Sequence, residues 1–508
     1  MFRHKLSLVL RQGKASSVWW RRSFHDRSEY AEWTKKMIAS RMKRPDFLEQ
    51  VDVSVAAPFL QSVSPMSERL IIQEISKKSN VVDAKQDEDG ELAPRSPLDS
   101  MIQCTYPLSS SNPSDVGVEI LRTSVSDFGN WSSFRLSKFY ADVDAITADV
   151  AYRHTSVPAT HNSSQQQDSA QKNTNISFVT AGHFNSRKLK RTDIGKDVIL
   201  RSYPTQTGSA SMEIRTDVVQ LNDEGDSEQL VNVCYTTMVA VDTKTLRPIK
   251  NVIPSLILND AREGDSNERQ VMRMDMAKQH NKTRKERMAS SMQLSHNISH
   301  PPTAAEMEAF HLLYRRRHQN YLLPSEERQC TSQLVSDHTY RSSLVVYPER
   351  RNVHGKLFGG FVVEKSHAIA QYAVDFFLHS EEQQPPARQQ KGTSVLDRPI
   401  PVGLDEAVFL QPISIGDHVT FTARVVHATP SMCRVIVVVE VRNPTDRDRQ
   451  PLRSNRLSFL FLAAGAKPFP GILPDTYSEM LMYMDASRRY ATEGPSDEYV
   501  ARIQKEQN

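Results

Sequence analysis

The sequence predicts an α+β fold in which one unit, a long apolar helix wrapped by an antiparallel sheet, occurs twice in tandem. Three observations predict it. Segment 361–378 is apolar around most of its circumference, through Phe361, Val362, Ala368, Ile369, Tyr372, Phe376 and Phe377, with Glu364, His367 and Gln371 in one narrow polar stripe. A helix apolar nearly all round is a buried helix. Strand-like segments follow it at short spacing, over 402–410, 418–427, 433–441 and 457–463. The same order of strand, helix, polar loop and four strands also stands about 220 residues upstream.

At 508 residues the chain is long enough for two domains and tails. Residues 1–25 carry Arg3, Lys5, Arg11, Lys14, Arg21 and Arg22, no acid, and interspersed apolar and serine residues. That is the composition of a mitochondrial transit peptide, placed at 1–27 and leading to the matrix. Residues 28–113 read as a variable lead-in, rich in Ser, Pro and charge from about Ser64. The first globular unit is placed at 114–250. It has a strand at 118–125, a turn at 128–135 and a helix over 136–153, with Leu136, Phe139, Tyr140, Val143, Ile146, Thr147 and Val150 at helical spacing.

Three aspartates lie on that helix. The wheel puts Asp142 and Asp149 opposite the apolar stripe, facing solvent, and Asp144 at its edge, partly buried. A Gln-rich polar loop follows at 155–174, then strands over 176–184, 198–203, 212–220 and 231–241. Residues 251–300 form a charged linker. The second unit is placed at 301–470, opened by an amphipathic helix at 304–317, and a C-terminal segment occupies 471–508.

The second unit's helix is entered through Arg351-Asn352-Val353-His354-Gly355-Lys356-Leu357-Phe358-Gly359-Gly360-Phe361. Glycine permits close backbone approach, and a helix N-terminus offers unpaired N–H groups and partial positive charge. Asn352, His354 and the backbone of Gly359 and Gly360 can therefore converge on one polarised carbonyl or anion.

Several chemistries are excluded or disfavoured. Charge is nearly balanced at +4, and the basic linker lacks aromatic residues for base stacking, so no nucleic-acid partner is expected. No run reaches the roughly 20 apolar residues of a membrane helix. Cys104, Cys234, Cys330 and Cys433 form no C-x-x-C pair, and no metal-ligand spacing stands out among the 16 His. There is no G-x-S-x-G elbow and no phosphate-binding P-loop.

Two segments carry a resemblance. The run from Asn352 to Phe361 is similar to the "N-x-x-H-x-x-x-F-G-G-F" segment of the mitochondrial acyl-coenzyme A thioesterase 9-type family. The run Pro474-Asp475-Thr476-Tyr477-Ser478-Glu479-Met480, continuing through Tyr483, Asp485 and Arg488, resembles its C-terminal segment. Val150–His154 and Ser211–Arg215 agree with the same family. The resemblance implies two hotdog domains in tandem and hydrolysis of fatty acyl-CoA to free fatty acid and CoA.

In that family the acid lies on the helix of one hotdog and the asparagine in the Gly-rich loop of the other. This implies one composite site per chain from Asp144 and Asn352, with His354 as a further candidate. The counterpart positions are His367 and Asn130, so the mirror-image site is expected to be degenerate. No cofactor or metal is implied, because CoA arrives as part of the substrate. Lys356, Arg350, Arg351, Arg187, Lys188 and Lys190 are cations that could hold its phosphates. The resemblance also implies a homo-oligomer of pseudo-dimeric chains. The alternatives are a non-catalytic acyl-CoA-binding or scaffold protein, and a hotdog acyl-CoA hydratase. A hydratase would want a catalytic His and Asp in one loop-helix unit, and His354 beside Asn352 does not supply it.

Overall fold

A computed structural model describes residues 48–51, 56–63, 71–75, 92–108, 136–155, 176–188, 196–221, 228–257, 282, 302–322, 332–352, 354–379, 399–446, 450–463 and 468–493. The expected strand at 118–125, the turn at 128–135, most of the linker, Lys190 and the transit segment lie outside these residues.

The first half contributes β1 (Leu48–Val51), α1 (Pro58–Val63), β2 (Ile71–Ile75), α2 (Pro97–Ser100) and β3 (Ile102–Tyr106), then α3 (Leu136–Thr155). It is completed by β4 (Ile176–Lys188), β5 (Val198–Thr207), β6 (Ser211–Leu221) and β7 (Glu228–Asp242). The second half contributes α4 (Ala304–Tyr321), β8 (Ser332–Leu334), β9 (Thr339–Val345) and α5 (Gly359–Leu378). Then come β10 (Ile400–Phe409), β11 (His418–Thr429), β12 (Met432–Arg442), β13 (Leu452–Leu462), β14 (Gly471–Leu473) and α6 (Tyr477–Glu493).

Among the described residues twelve strands make one sheet, in the order β1-β2-β3-β5-β6-β7-β4-β10-β13-β12-β11-β9. The halves meet in its middle. There β4 and β10 pair antiparallel, from Gly403 opposite Arg187 to Val408 opposite Gly182. Each half curls round its own helix in the hotdog arrangement, and α3 and α5 pack on each other. Tyr140 of α3 faces His367 of α5 at 6.4 Å between ring centroids. Lys138 reaches Glu364 across the same seam at 3.5 Å.

One apolar cluster spans both halves. Val143, Ile146 and Val150 of α3 join Val363, Val374 and Phe377 of α5 in it, with Leu404, Phe421 and Phe459 from the sheet. Truncating a fully buried phenylalanine such as Phe377 typically costs about 3–5 kcal/mol. The helix at the head of the second half does pack there, on α6. Phe310 meets Tyr483 edge-on at 5.1 Å, and Arg488 forks onto Glu306 at 2.7 and 2.8 Å.

Three expectations require correction. The lead-in is not separate from the first unit, because β3 pairs with β5 from Ile102 opposite Ser202 to Tyr106 opposite Val198, and β2 and β1 extend the sheet beyond it. These upstream pieces cover the side of α3 that the wheel gave to solvent. Asp142 and Asp149 are therefore only 1% and 3% exposed. Asp142 accepts from the Tyr106 hydroxyl at 2.9 Å. Asp149 accepts from the amides of Phe59 and Leu60 at 3.0 and 2.9 Å, capping α1. Burial pushes its carboxyl up to about 8, against the pull of those two amides.

Conversely, α5 is not buried all round. Tyr372 and Phe376 are 49% and 51% exposed, packed on each other and on Tyr340 of β9.

The C-terminal end of α3 is also tied to the upstream segment. Arg95 donates to the carbonyls of Arg153 and His154 at 2.9 and 3.0 Å, satisfying acceptors that a helix end leaves unpaired. Buried His154 bridges the Ser100 hydroxyl at 2.7 Å and the Pro254 carbonyl at 3.1 Å, and burial pushes its pKa down to about 4.

Candidate active site

The site forms where α3 of the first half meets the N-terminus of α5 from the second. Phe358 occupies the N-cap position of α5 without a side-chain cap. Asp144 fills that role from the other half, accepting from the Gly360 amide on Oδ2 at 2.8 Å. A carboxylate at a helix N-terminus meets unpaired amides and a positive dipole end.

The contact depends on the Gly-Gly pair. A Cβ on Gly360 would lie 2.7 Å from the Ala141 Cα and 2.6 Å from the Phe358 ring. A Cβ on Gly359 would lie 3.0 Å from Asp144 Oδ2 and 3.2 Å from the Phe409 ring. The first glycine thus keeps space open above the carboxylate, and the second lets the helices approach.

The other carboxylate oxygen is held by β4. The Thr180 hydroxyl donates to Asp144 Oδ1 at 2.6 Å. His183 Nε2 stands 3.2 Å from the same oxygen, within ion-pair distance but out of line for a full hydrogen bond. Its Nδ1 is 2.9 Å from the Thr236 hydroxyl. Thr180 and His183 are three apart, which in a regular strand would put them on opposite faces. Between them the register skips: Thr180 lies opposite Met238 and Gly182 opposite Thr237, leaving Ala181 as an extra residue. This β-bulge brings both side chains to one carboxylate, as bulges near sites often do. Neither residue was singled out from the sequence. The available signal was Gly182, a lone glycine in a strand pattern.

Asn352 holds its loop together. Its Oδ1 accepts from the amides of His354 and Lys356 at 2.9 and 3.0 Å, across a turn in which Gly355 has φ +65°. With Oδ1 so engaged, Nδ2 is the donor the loop leaves over, on a residue that lines the site cavity. His354 reaches into the other half instead. Its Nε2 lies 2.9 Å from the Ser177 hydroxyl and 3.3 Å from the Phe178 carbonyl, which braces the loop against β4. Burial lowers its pKa, partly offset by the carbonyl contact.

Gly360, expected to offer its amide to a reacting carbonyl, gives it to Asp144. The first-turn amides of Gly359 and Phe361 are then the donors nearest to hand. Glu364 meets Lys138, and His367 lies among Tyr140, Phe459 and Phe461. Asn130, its partner in the mirror-image position, is outside the described residues.

Asp144, Thr180, Asn352, His354 and Gly359 all line one cavity of about 590 Å³. Lys138, Arg350, Arg351 and Lys356 line it as well. Lys356 Nζ is 3.0 Å from the Ser414 hydroxyl, and Arg350 stacks over the Phe361 ring at 5.1 Å.

No family model matches the chain. Mitochondrial acyl-coenzyme A thioesterase 9 of Mus musculus is 23% identical over 86% of this chain and 86% of its own length. The human protein of the same name is also 23% identical, over 87% of each. Along most of its length the chain is therefore similar to mitochondrial acyl-coenzyme A thioesterases 9. A mitochondrial acyl-coenzyme A thioesterase 4 of Humulus lupulus is 24% identical over 73% of this chain and 61% of its own length. Among solved structures, a putative oleoyl thioesterase from Lactobacillus plantarum aligns over 72% of this chain and 96% of its own at 8% identity and a TM-score of 0.33. An acyl-CoA hydrolase from Staphylococcus aureus with butyryl coenzyme A aligns over 35% and 95% at 20% identity and a TM-score of 0.27. Those superpositions are too loose to bear on the fold, which rests on this chain's own strand pairing.

Proposed function

We propose that this chain is an acyl-CoA thioesterase, hydrolysing fatty acyl-CoA to free fatty acid and CoA at the seam between its hotdog halves. The observation that carries it is the 2.8 Å contact between Asp144 of one half and the Gly-Gly helix start of the other, in a cavity shared by both.

A carboxylate offers about four acceptor directions. Gly360, Thr180 and His183 approach three of them, leaving room for a water. Asp144 takes a proton from that water as general base. The water oxygen bonds to the acyl carbon, the C–S bond breaks, and the proton passes to the departing thiolate. Asn352 Nδ2 and the first-turn amides of α5 stabilise the oxyanion formed on the way. Lys138, Arg350, Arg351 and Lys356 supply positive charge for CoA phosphates. The side chain of Arg187 is outside the described residues. The reaction needs no cofactor beyond the CoA of the substrate.

The mitochondrial names of the relatives and the acid-free basic start support import into the matrix. Association of several chains follows the same family habit.

The test is thiol release from acyl-CoAs of two to sixteen carbons by the purified chain, with Asp144→Asn as the comparison. Wild-type turnover that the variant loses at unchanged melting temperature is expected. One observation favours a binding protein instead: Asp144 is already engaged as a helix cap. No thiol release from any chain length, with acyl-CoA bound, would establish that second reading.

A further inference from the structure

The cavity has an end wall supplied by the upstream segment of the first half, which among the described residues has no counterpart in the second. Phe59, Ser62 and Val63 of α1 line it. α1 is held in place by the Asp149 carboxylate on its first amides and by Leu60, which has no exposed surface. The Phe59 ring stacks on Tyr152 at 5.2 Å and 27°, and Tyr152 meets Phe178 edge-on at 5.1 Å. Tyr152 is itself fixed through its hydroxyl, 2.5 Å from that of Ser177.

Along α3 the lining runs Ala141, Asp144, Ala145, Ala148 and Tyr152. Beyond the carboxylate two small side chains leave a groove, and Tyr152 closes it. Lys138 and its partner Glu364 stand at the opposite end of the same helix. Among the described residues near α1, the lining of Val63, Ala148, Phe178 and Val241 is uncharged. The Lys138 end is charged and suits CoA; the α1 end is apolar apart from Ser62 and the His354 ring beside Ser177 and Phe178, and suits an alkyl chain.

We infer that α1 is the stop of an acyl tunnel, with Phe59 as the residue that limits chain length, and that the preferred substrates are medium-chain acyl-CoAs. The inference rests on the thioesterase reading for its substrate, but the wall itself does not. Eight residues of helix separate Asp144 from Tyr152, about 12 Å at about 1.5 Å per residue. An extended chain advances roughly 3.5 Å over the three bonds of a residue, or about 1.2 Å per bond. The groove therefore takes about ten bonds, an acyl group of about eight to ten carbons.

The test uses non-hydrolysable alkyl-CoA thioethers of four to sixteen carbons on the full chain, measured by calorimetry. Affinity should rise about fourfold per buried methylene, then level or fall beyond about ten carbons. In Phe59→Ala the break should move to longer chains while the four-carbon ligand binds as before. Phe59→Leu should give an intermediate break and guards against a misfolded alanine variant.

In parallel, kcat/KM for sixteen- relative to eight-carbon acyl-CoA should rise in Phe59→Ala by on the order of tenfold or more. A break at the same length in wild type and Phe59→Ala, or a steady rise to sixteen carbons in wild type, overturns the inference. A break that moves with Phe59 in a protein that hydrolyses nothing upholds the wall and refutes the thioesterase reading alone.

Discussion

The two glycines at the start of α5 should fail in different ways when each is replaced by alanine. A methyl on Gly360 would stand 2.7 Å from the Ala141 Cα and 2.6 and 2.7 Å from two atoms of the Phe358 ring. The ring can turn, but the α3 backbone cannot yield without parting the helices. Overpacking of this kind costs about 1–3 kcal/mol, so Gly360→Ala should lower the melting temperature by a few degrees and lengthen the Asp144 contact.

The nearest neighbours of a methyl on Gly359 are Asp144 Oδ2 at 3.0 Å and the Phe409 ring at 3.2 Å, with no backbone as close. Alanine is also favoured over glycine in a helix by about 0.8–1.0 kcal/mol, which offsets the crowding. Stability should stay near wild type. Yet the methyl occupies the approach to the carboxylate where water must sit. If it blocks general-base assistance, kcat should fall by roughly 10²–10⁴. The assay is thiol release from a saturating medium-chain acyl-CoA, paired with thermal unfolding of both variants. A Gly359→Ala enzyme with wild-type kcat would refute the assignment of Asp144 as the base.

Asp144→Asn and Asn352→Ala should each lower kcat strongly, and the double variant should be scarcely worse than the poorer single, because groups serving one transition state do not add; additive losses in the cycle would separate their roles. His154 has a folded pKa of about 4 against an ordinary 6.5. Its neutral form is the folded one, so its contribution to stability is complete above about 6.5 and is lost as pH falls towards about 4. Melting curves from pH 7 to 4 should steepen for wild type relative to His154→Gln, and parallel curves would refute this. Deleting residues 1–27 should leave an active enzyme in the cytosol, checked by fractionation; a truncated chain still recovered in mitochondria sinks the import signal.

Local periodicity made both long helices and the eight strands that follow them legible in the sequence, because each buries a regular stripe. The first helix was harder to orient. Its stripe marks the face toward its own sheet, and nothing in 136–153 reveals that α1 and β3 cover the opposite face. Asp142 and Asp149 were misplaced for that reason. Tyr372 and Phe376 show the converse: apolar character on a wheel does not say whether chain lies over it. In the site, Asp144 stood out as an acid at the stripe's edge, and the Gly-Gly pair as a break before an apolar helix. Thr180 and His183 were hidden by the bulge at Ala181, since strict alternation along β4 separates them. Asn352 was legible as a loop asparagine, but its two loop hydrogen bonds depend on the turn at Gly355.

The two halves that pair through β4 and β10 lie in one polypeptide, which fixes their ratio at one to one. Two identical subunits joined at such a seam must change together, since any substitution appears on both sides. Here each side can specialise on its own. The half that supplies Asp144 keeps a hydroxyl and an imidazole beside it and carries α1 at its flank. The half that supplies the Gly-Gly turn carries His367 among aromatic rings at the equivalent helix position. Covalent linkage thus lets one helix position hold packing while its counterpart holds the acid.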